Sequence, residues 1–582
     1  LVILATGAVH AASVERVQPV PSRETPVEAA DLGGGHWFVD FGKTAFGNIE
    51  IRDPELRMAA TVTVHLGEAR AGEHAVERRP KGTVRYQSHT LTLEPGVPAS
   101  PKLDWRAPGG ATDGWIPVAD GMPEVMPFRY VEIEGAPETF SGDDILRVSW
   151  AVPFDDAASD FETSDAHLVS VWNLCKRTIK ATSFFGLYVD GDRERKPYEA
   201  DAIINQLSHY AVDAHYETGR RTLEYLLEHP TWPTEWRLQT VIIAWNDFLW
   251  SGDDTFLRAH FPALEQHAMI ERRTADGLFL GFLDGDVRDI VDWPPGERDD
   301  YDMAMPVKSA VTAFHYRALV LLEKIAAHLG RAEDARRFAE MAAETFDAFN
   351  RKLWDEERGC YVDGLDPESE KRSRHASAHA NFFPLALGLV PHDRKARVAE
   401  FLKEKGMACS VYGAQFLLEA LYEADEDGAA RELMTSDALR SWRNMEKVGS
   451  TVTLEAWDPS LKPNLDWNHA WGAAPANLIS RKLMGIEPVE PGFRRASIRP
   501  QMLDRASIKA PTPRGPIHLS IDRREEKWIA ELVLPEGVEV AFLFPNPGPF
   551  TVDGEGASRV IGEVDGRPEV VLQGGRWTLT QP

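Results

Sequence analysis

Two stretches of the chain concentrate residue types that can do acid–base chemistry. The first is Tyr188-Val-Asp-Gly-Asp-Arg-Glu-Arg-Lys-Pro-Tyr-Glu-Ala-Asp201. Pro197 lacks an N–H and suits the first turn of a helix. A helix starting there leaves Asp190, Asp192, Glu194 and Arg195 in the preceding loop, with Asp201 about one turn inside and able to point the same way. A general acid needs a raised pKa; carboxylates such as Asp190 and Asp201 would raise that of Glu194, against the flanking Arg193 and Arg195. The second stretch is Gly449-Ser-Thr-Val-Thr-Leu-Glu-Ala-Trp-Asp458, followed by Asn464-Leu-Asp-Trp-Asn-His-Ala-Trp471. Here Glu455 follows an apolar, Thr-rich run, with Trp457, Trp467, His469 and Trp471 around it. Glycoside hydrolysis uses two carboxyl groups on opposite sides of a glycosidic bond, one protonating the leaving oxygen while the other attacks or activates water. Taken alone, the first stretch also reads as a salt-bridged helix start and the second as an aromatic-capped loop. Together they point to sugar chemistry.

The elements that must position these residues change character along the chain. From His36 to about residue 155 the runs are short, β-branched and partly alternating, as in His36–Phe41, Ala60–His65, Thr83–Leu93 and Phe128–Ile133, with Gly/Pro turns such as Glu94–Pro98 and Ala107–Gly110 between them. This pattern predicts a β-sandwich. From Asp165 the period becomes helical: Leu168, Val171, Trp172, Cys175 and Ile179 form one stripe. About twelve helices follow, to about residue 484, among them single helices predicted over 199–217 and 426–444, which suggests a toroid of helical hairpins. Their connecting loops carry Trp, Asp and Glu, as in Asp284–Trp293, whose Asp292 and Trp293 are taken as sugar contacts. After Pro488 strands return, at Arg495–Pro500, Ile517–Asp522, Lys527–Leu534 and Val538–Phe544. The expected domains are an N-terminal β-sandwich over 13–160, a catalytic barrel over 161–486 and a C-terminal β-sandwich over 487–582.

Composition narrows the function. The 582 residues carry 64 Lys and Arg against 91 Asp and Glu, a net charge of −27. That balance argues against nucleic acid or a membrane surface as a partner. Seventeen Trp suit a protein that handles sugars. Three cysteines, Cys175, Cys360 and Cys409, make neither a disulfide framework nor a C-x-x-C site, and read as buried thiols. No G-x-S-x-G, Walker A or H-E-x-x-H signature occurs, so no cofactor or metal is called for. Residues 1–12, Leu-Val-Ile-Leu-Ala-Thr-Gly-Ala-Val-His-Ala-Ala, look like the tail of a signal peptide, giving a periplasmic or secreted protein as the expectation.

At this point the residues resemble a family. Glu194-Arg followed by Asp201-Ala202 resembles the D-E-R-x-G-W-x-G-D-A signature of glycoside hydrolase family 78, the bacterial α-L-rhamnosidases. Gly449–Trp457 is similar to its G-A-T-T-x-W-E-x-W segment, and Asn468-His-Ala-Trp-Gly472 to its S-x-N-H-Y-A-x-G segment. Val39–Lys43 with Gly47, Phe128–Gly135 with Phe161–Asp165, and Pro491–Pro500 are similar to flanking segments, in the same order from about residue 36 to about 500. The resemblance implies an (α/α)6 barrel, of the six-hairpin glycosidase type, flanked by N-terminal and C-terminal β-sandwiches. It also implies exo-acting, inverting release of terminal α-L-rhamnose from a plant or algal oligosaccharide or polysaccharide. Glu194 falls on the family's general acid, Glu455 on its general base, and Asp201, Trp457 and His469 on sugar-binding positions. Asp190, Asp192, Arg195, Tyr198, Asp292 and Trp293 complete the expected set. Inversion would hold the two carboxyl groups roughly 6.5–9.5 Å apart. The departures are the spacing of Asp190 and Asp192 before the acid, Pro197-Tyr198 in place of Gly-Trp, Arg193 in place of Asp, and Leu454 in place of Trp. Arg193, Arg195 and Lys196 beside the acid suit an acidic glycan. Two alternatives stay open: an unsaturated uronyl hydrolase or polysaccharide lyase of the same fold, and a catalytically inactive carbohydrate-binding protein.

Overall fold

The computed structural model describes residues 15–105, 115–283, 288–524 and 527–582. The leader-like residues 1–12, the turn 107–110 and part of the 284–293 loop lie outside them. Three layers of structure follow in chain order. Among the described residues the N-terminal region forms a seven-stranded antiparallel sheet, ordered Val20–Glu24, Ile145–Ala151, His36–Ile51, Met126–Glu134, Ala60–Gly67 and Tyr86–Leu93, with Glu28–Gly33 added to His36–Ile51. The sixteen-residue strand His36–Ile51 shifts register between Asp40 and Ala45, and that break bends the sheet around its own apolar core of Val39, Ile49, Val64, Phe128, Val131 and Ile145.

The helical region closes on itself. The helices Glu199–Val212, Gln239–Ser251, Ser309–His328, His379–Ala386 and Val411–Glu423 pack in that cyclic order, and Ala474–Leu478 returns the ring to Glu199–Val212. These are the inner members, buried nearly all round. Glu199–Val212 is buried at every position although its sequence includes Asp201, Asn205, Gln206, Ser208 and His209. A helix buried on all sides cannot shed polar side chains to water, so each must find a partner in the interior or face an internal hollow. The outer members are amphipathic: Glu217–Glu228 buries only Thr218, Gly219, Thr222, Leu223 and Leu226. The predicted single helix over 426–444 is broken into Asp427–Thr435 and Trp442–Lys447, because Ser441 caps the second piece by accepting from Asn444 N–H. The six-hairpin barrel with flanking β domains is thus present as expected.

The C-terminal sheet has nine strands among the described residues. Two long strands, Lys527–Leu543 and Arg567–Gln581, form its spine, and a register shift between Leu534 and Glu539 bends it. Asp160–Thr163, the segment that leads into the barrel, pairs with Arg505–Ala510 and so belongs to this last sheet. The three cysteines are free and buried. No helix among the described residues is long and apolar enough to cross a membrane.

Candidate active site

The loop 190–196 is built by its own backbone. Asp190 N–H donates to Lys196 C=O at 3.0 Å, Arg195 N–H donates to Gly191 C=O at 3.2 Å, and Arg195 takes a left-handed φ of 49°. Gly191 has φ 121°, and a Cβ there would stand 2.7 Å from Asn468 O and 2.9 Å from an Asp466 carboxylate oxygen. Only glycine lets the loop lie against the 464–471 segment this closely. The helix starts at Glu199 with Tyr198 extended before it, two residues later than Pro197 suggests. The downstream stretch folds back on itself: Glu455 N–H donates to Asp466 C=O at 2.9 Å, His469 N–H donates to Thr453 C=O at 3.0 Å, and Trp471 Nε1 donates to Glu455 C=O at 3.0 Å.

Both stretches face one cavity of 330 Å³ at the mouth of the inner ring. Of the residues chosen from sequence, Asp190, Glu194, Tyr198, Asp201, Trp293, Glu455 and His469 line it. Glu194 is the open carboxylate, its side chain 32% exposed against 2% for Glu455. Tyr198 donates to Glu194 Oε2 at 2.7 Å. Arg193 joins the two carboxylates: Nη1 donates to Glu455 Oε2 at 2.7 Å, and Nη2 donates to Glu455 Oε1 at 2.8 Å and Glu194 Oε1 at 2.9 Å. Those last two oxygens therefore stand no farther apart than the sum of the two distances, about 5.7 Å, which is shorter than the roughly 6.5–9.5 Å of an inverting pair.

Glu455 is held by four donors in all, since Asp466 N–H donates to Oε2 at 3.0 Å and Lys462 Nζ lies 3.0 Å from Oε1. Burial works against its ionisation, but Arg193 first and then Lys462 outweigh it and hold the carboxyl at about 2. The other acids move the opposite way. Burial, then the charges of Glu194 and Asp201, push Asp190 well above the carboxylate range; burial, then Glu455 and Glu194, do the same to Asp201. Burial drives His469 down to about 3, so its ring is neutral. His469 Nε2 lies 3.0 Å from Asp201 Oδ1, off the line of a hydrogen bond. Neither His469 nitrogen nor that oxygen has a hydrogen-bond partner, although all are buried. Unpaired buried polar atoms are costly, and hydroxyl groups of a bound sugar would satisfy them. Trp232, Trp236, Trp293, Trp471 and Ile290 supply apolar wall.

Four of the chosen residues do not line the cavity. Asp192 is fully buried beneath the loop, its carboxylate held by Arg195 Nη2 at 2.7 Å and Arg85 Nε at 2.6 Å. Arg195 points away from the cavity; its Nη1 donates to Glu124 at 2.7 Å and its Nη2 to Val125 C=O at 2.8 Å, fastening the loop to the N-terminal domain. Asp292 accepts from Ser410 N–H at 2.9 Å and pairs with His379 Nε2 at 2.7 Å, anchoring the start of Val411–Glu423. Trp457 turns into the core, edge-on to Trp442, and its Nε1 donates to Cys409 C=O at 2.9 Å. The rest of the lining comes from Arg193, Lys196, Asn464 and Trp471, inside the two stretches, and from Lys462, Trp232, Trp236 and Ile290, outside them. A cluster of His36, Glu132 and Glu134 with metal-ligand spacing lies on the N-terminal sheet, away from the cavity, where Arg78 already pairs with both glutamates at 3.0 and 3.2 Å.

A closed ring of helical hairpins with two carboxylates facing an aromatic-walled hollow has the architecture of a six-hairpin glycosidase domain. Residues 156–483 match the family described as bacterial alpha-L-rhamnosidase 6 hairpin glycosidase domain, and residues 485–557 the bacterial alpha-L-rhamnosidase C-terminal domain; the chain belongs to this family. It is similar to an alpha-L-rhamnosidase of Alteromonas sp. (strain LOR), 23% identical over 484 residues that cover 75% of this chain and 50% of that relative. The chain thus spans about half the length of that relative. Among solved structures it resembles the alpha-L-rhamnosidase from Dictyoglumus thermophilum, with TM-score 0.76, 17% identity, and coverage of 97% of this chain and 64% of that one. The Streptomyces avermitilis alpha-L-rhamnosidase complexed with L-rhamnose gives TM-score 0.76 and 16% identity, covering 98% of this chain and 54% of that one.

Proposed function

We propose that this protein is an exo-acting α-L-rhamnosidase that removes terminal rhamnose from an acidic glycan with inversion, Glu194 serving as general acid and Glu455 as general base. The observation that carries the reading is the meeting of Glu194 and Glu455, from stretches far apart in sequence, across one small hollow with unpaired His469 and Asp201 atoms in its wall. A hollow of 330 Å³ admits little beyond one sugar ring, which favours action on a chain end. The tryptophans and Ile290 suit the apolar face and methyl group of a deoxy sugar.

Arg193 gives the reaction its order. While its guanidinium bridges Glu455 and Glu194, it draws the two carboxyl groups together and leaves Glu455, at about 2, a weak base. A substrate that draws Arg193 aside corrects both at once. Glu194, released from the guanidinium, is free to turn toward the leaving oxygen. Glu455, kept ionised by Lys462, becomes more basic and opens room for its water. A carboxylate or sulfate on the neighbouring sugar is such a substrate group. Lys196 lines the cavity beside the acid with no carboxylate partner of its own among the described residues, its Nζ 5.4 Å from the Tyr198 ring centroid. The leader-like segment at residues 1–12 supports export to the periplasm or beyond, where such polymers are met.

The test is release of free L-rhamnose from an aryl α-L-rhamnoside and from rhamnosylated uronides, followed by NMR of the first-formed anomer. Release with β-L-rhamnose appearing first, lost in Glu194→Gln, supports the assignment. First appearance of the α anomer would sink inversion, and sugar binding without product would make the chain a carbohydrate-binding protein.

A further inference from the structure

A second concave region lies outside the barrel, where the three domains meet, and shares no lining residue with the catalytic cavity. Its floor is one face of the outer helix Ala166–Thr182: Asn173, Lys176, Arg177 and Lys180 recur at the spacing that puts side chains on a single stripe. Lys43 of the N-terminal sheet and Lys509 of the C-terminal sheet form its walls, and 156–160 its rim. The hollow measures 590 Å³ and continues, through the shared Lys43, Asn173 and Arg177, into a second of 310 Å³ bordered by Arg129 and Gly449–Thr451.

Charge singles this groove out. It gathers six cations, Lys43, Arg129, Lys176, Arg177, Lys180 and Lys509, against three acids, Asp156, Asp160 and Glu446, in a chain where acids outnumber bases 91 to 64. Three of the six cations are oriented by neutral oxygens. Lys176 Nζ donates to the carbonyls of Asp156 and Ser159 at 2.7 Å each, Lys509 Nζ to Ala157 C=O at 2.6 Å, and Arg177 Nη2 to Thr44 C=O at 2.8 Å. Carbonyls fix the position of a cation and leave its charge uncancelled. Arg177 Nε is buried without a partner, and the exposed Lys43 has no ion pair among the described residues. Only two of the six are matched to carboxylates: Lys180 to Asp156, and Arg129 to Asp40 at 2.7 Å. Burial lowers the pKa of Lys176 against the pull of Asp156, Asp160, Asp213 and Asp155, and that of Arg177 against Glu24 and Asp156; these carboxylates offset burial only in part, and an arriving anion would relieve the rest.

We infer that this groove is an accessory site for an anionic oligosaccharide, its carboxylate or sulfate groups received by Lys43, Arg177 and Lys509. That the anion is carried on a glycan rests on the glycosidase reading; the preference for an anion rests on the charges alone.

The experiment titrates the full chain calorimetrically with a uronic-acid oligomer, a sulfated oligosaccharide, a neutral glucan oligomer and sodium sulfate. Wild type is compared with Lys43→Glu and with Lys43→Glu/Lys509→Glu, and turnover of a neutral aryl rhamnoside is followed in parallel. Saturable binding of a charged oligomer that falls about tenfold or more in Lys43→Glu, weakens with added salt and leaves aryl turnover unchanged is the expected result. Equal binding by both variants, equal binding of the neutral oligomer, or sulfate ion binding as tightly as either charged oligomer would overturn the site. Absence of aryl rhamnoside turnover in wild type overturns the rhamnosidase reading instead, and leaves the titration to be judged by itself.

Discussion

Arg193 and Arg195 stand two residues apart in one loop and serve opposite sides of it. Arg193 faces inward to the cavity and holds Glu455 and Glu194 in an arrangement that a substrate must rearrange. Arg195 faces outward, held by Asp192, Glu124 and Val125, with its guanidinium also 5.0 Å from the centroid of the Trp105 ring. The outward arginine is closed off by partners that are all protein. The inward one is paired with the two carboxylates proposed to do the chemistry. One side of the loop is therefore built to stay and the other to be displaced.

The largest expected effect breaks the inward side: Glu194→Gln and Glu455→Gln should each lower kcat by about 10³-fold or more. Glu194→Gln should keep an unfolding midpoint near wild type, whereas Glu455→Gln should lower it, because buried Arg193 and Lys462 lose the carboxylate they share. A loss of stability in Glu194→Gln as large as in Glu455→Gln would make Glu194 part of the brace. On the outward side, Arg195→Met leaves the Asp192 carboxylate short of a buried partner and should cost about 3–5 kcal/mol in denaturant unfolding. Stability within about 1 kcal/mol of wild type would show that Arg85 holds Asp192 alone.

The clamp itself predicts a pH signature. The folded pKa of Glu455 is depressed to about 2, so its stabilisation is present above the unfolded value near 4.5 and is lost as pH falls through about 2. It amounts to about 3 kcal/mol. Arg193→Met should reduce this acid-labile part of the stability curve, Lys462 holding the remainder, and shift the low-pH limb of kcat/KM upward; an unchanged limb argues that Glu455 is not the titrating base. The smallest effect sharpens specificity. Lys196→Ala should lower kcat/KM about tenfold for a rhamnosyl uronide and leave a neutral aryl rhamnoside unchanged.

Much of this was legible in the sequence. The strand–helix–strand order follows from a change of hydrophobic period, and Glu194, Glu455, Asp201 and His469 follow from ordered motifs. What failed to carry over were side-chain directions. Trp457 lies two residues from Glu455 and was expected beside the sugar, yet the irregular backbone there turns its indole toward Trp442. Asp192 and Arg195 share a loop with the acid but face the N-terminal domain, whose Arg85, Glu124 and Trp105 no local pattern connects to them. Lys462 sits in a segment with neither period nor motif, and its place beside Glu455 comes from the fold-back of the chain between Glu455 and Asp466, which no hydrophobic period announces. The close pairing through Arg193 departs from the spacing the resemblance implies, because the residue that stands in place of an Asp is itself the bridge.

The strand Asp160–Thr163 has a consequence for how the chain is made. It emerges before the barrel, yet its partner is Arg505–Ala510. During synthesis it waits for roughly 340 further residues, on the order of tens of seconds at ordinary ribosomal rates, as an unpaired edge beside an unfinished barrel. The C-terminal sheet thus closes over a strand made long before it. A chain cut at the visible barrel boundary would separate that strand from its sheet, so the smallest piece expected to behave as an autonomous unit runs from before residue 160 to the end of the final sheet.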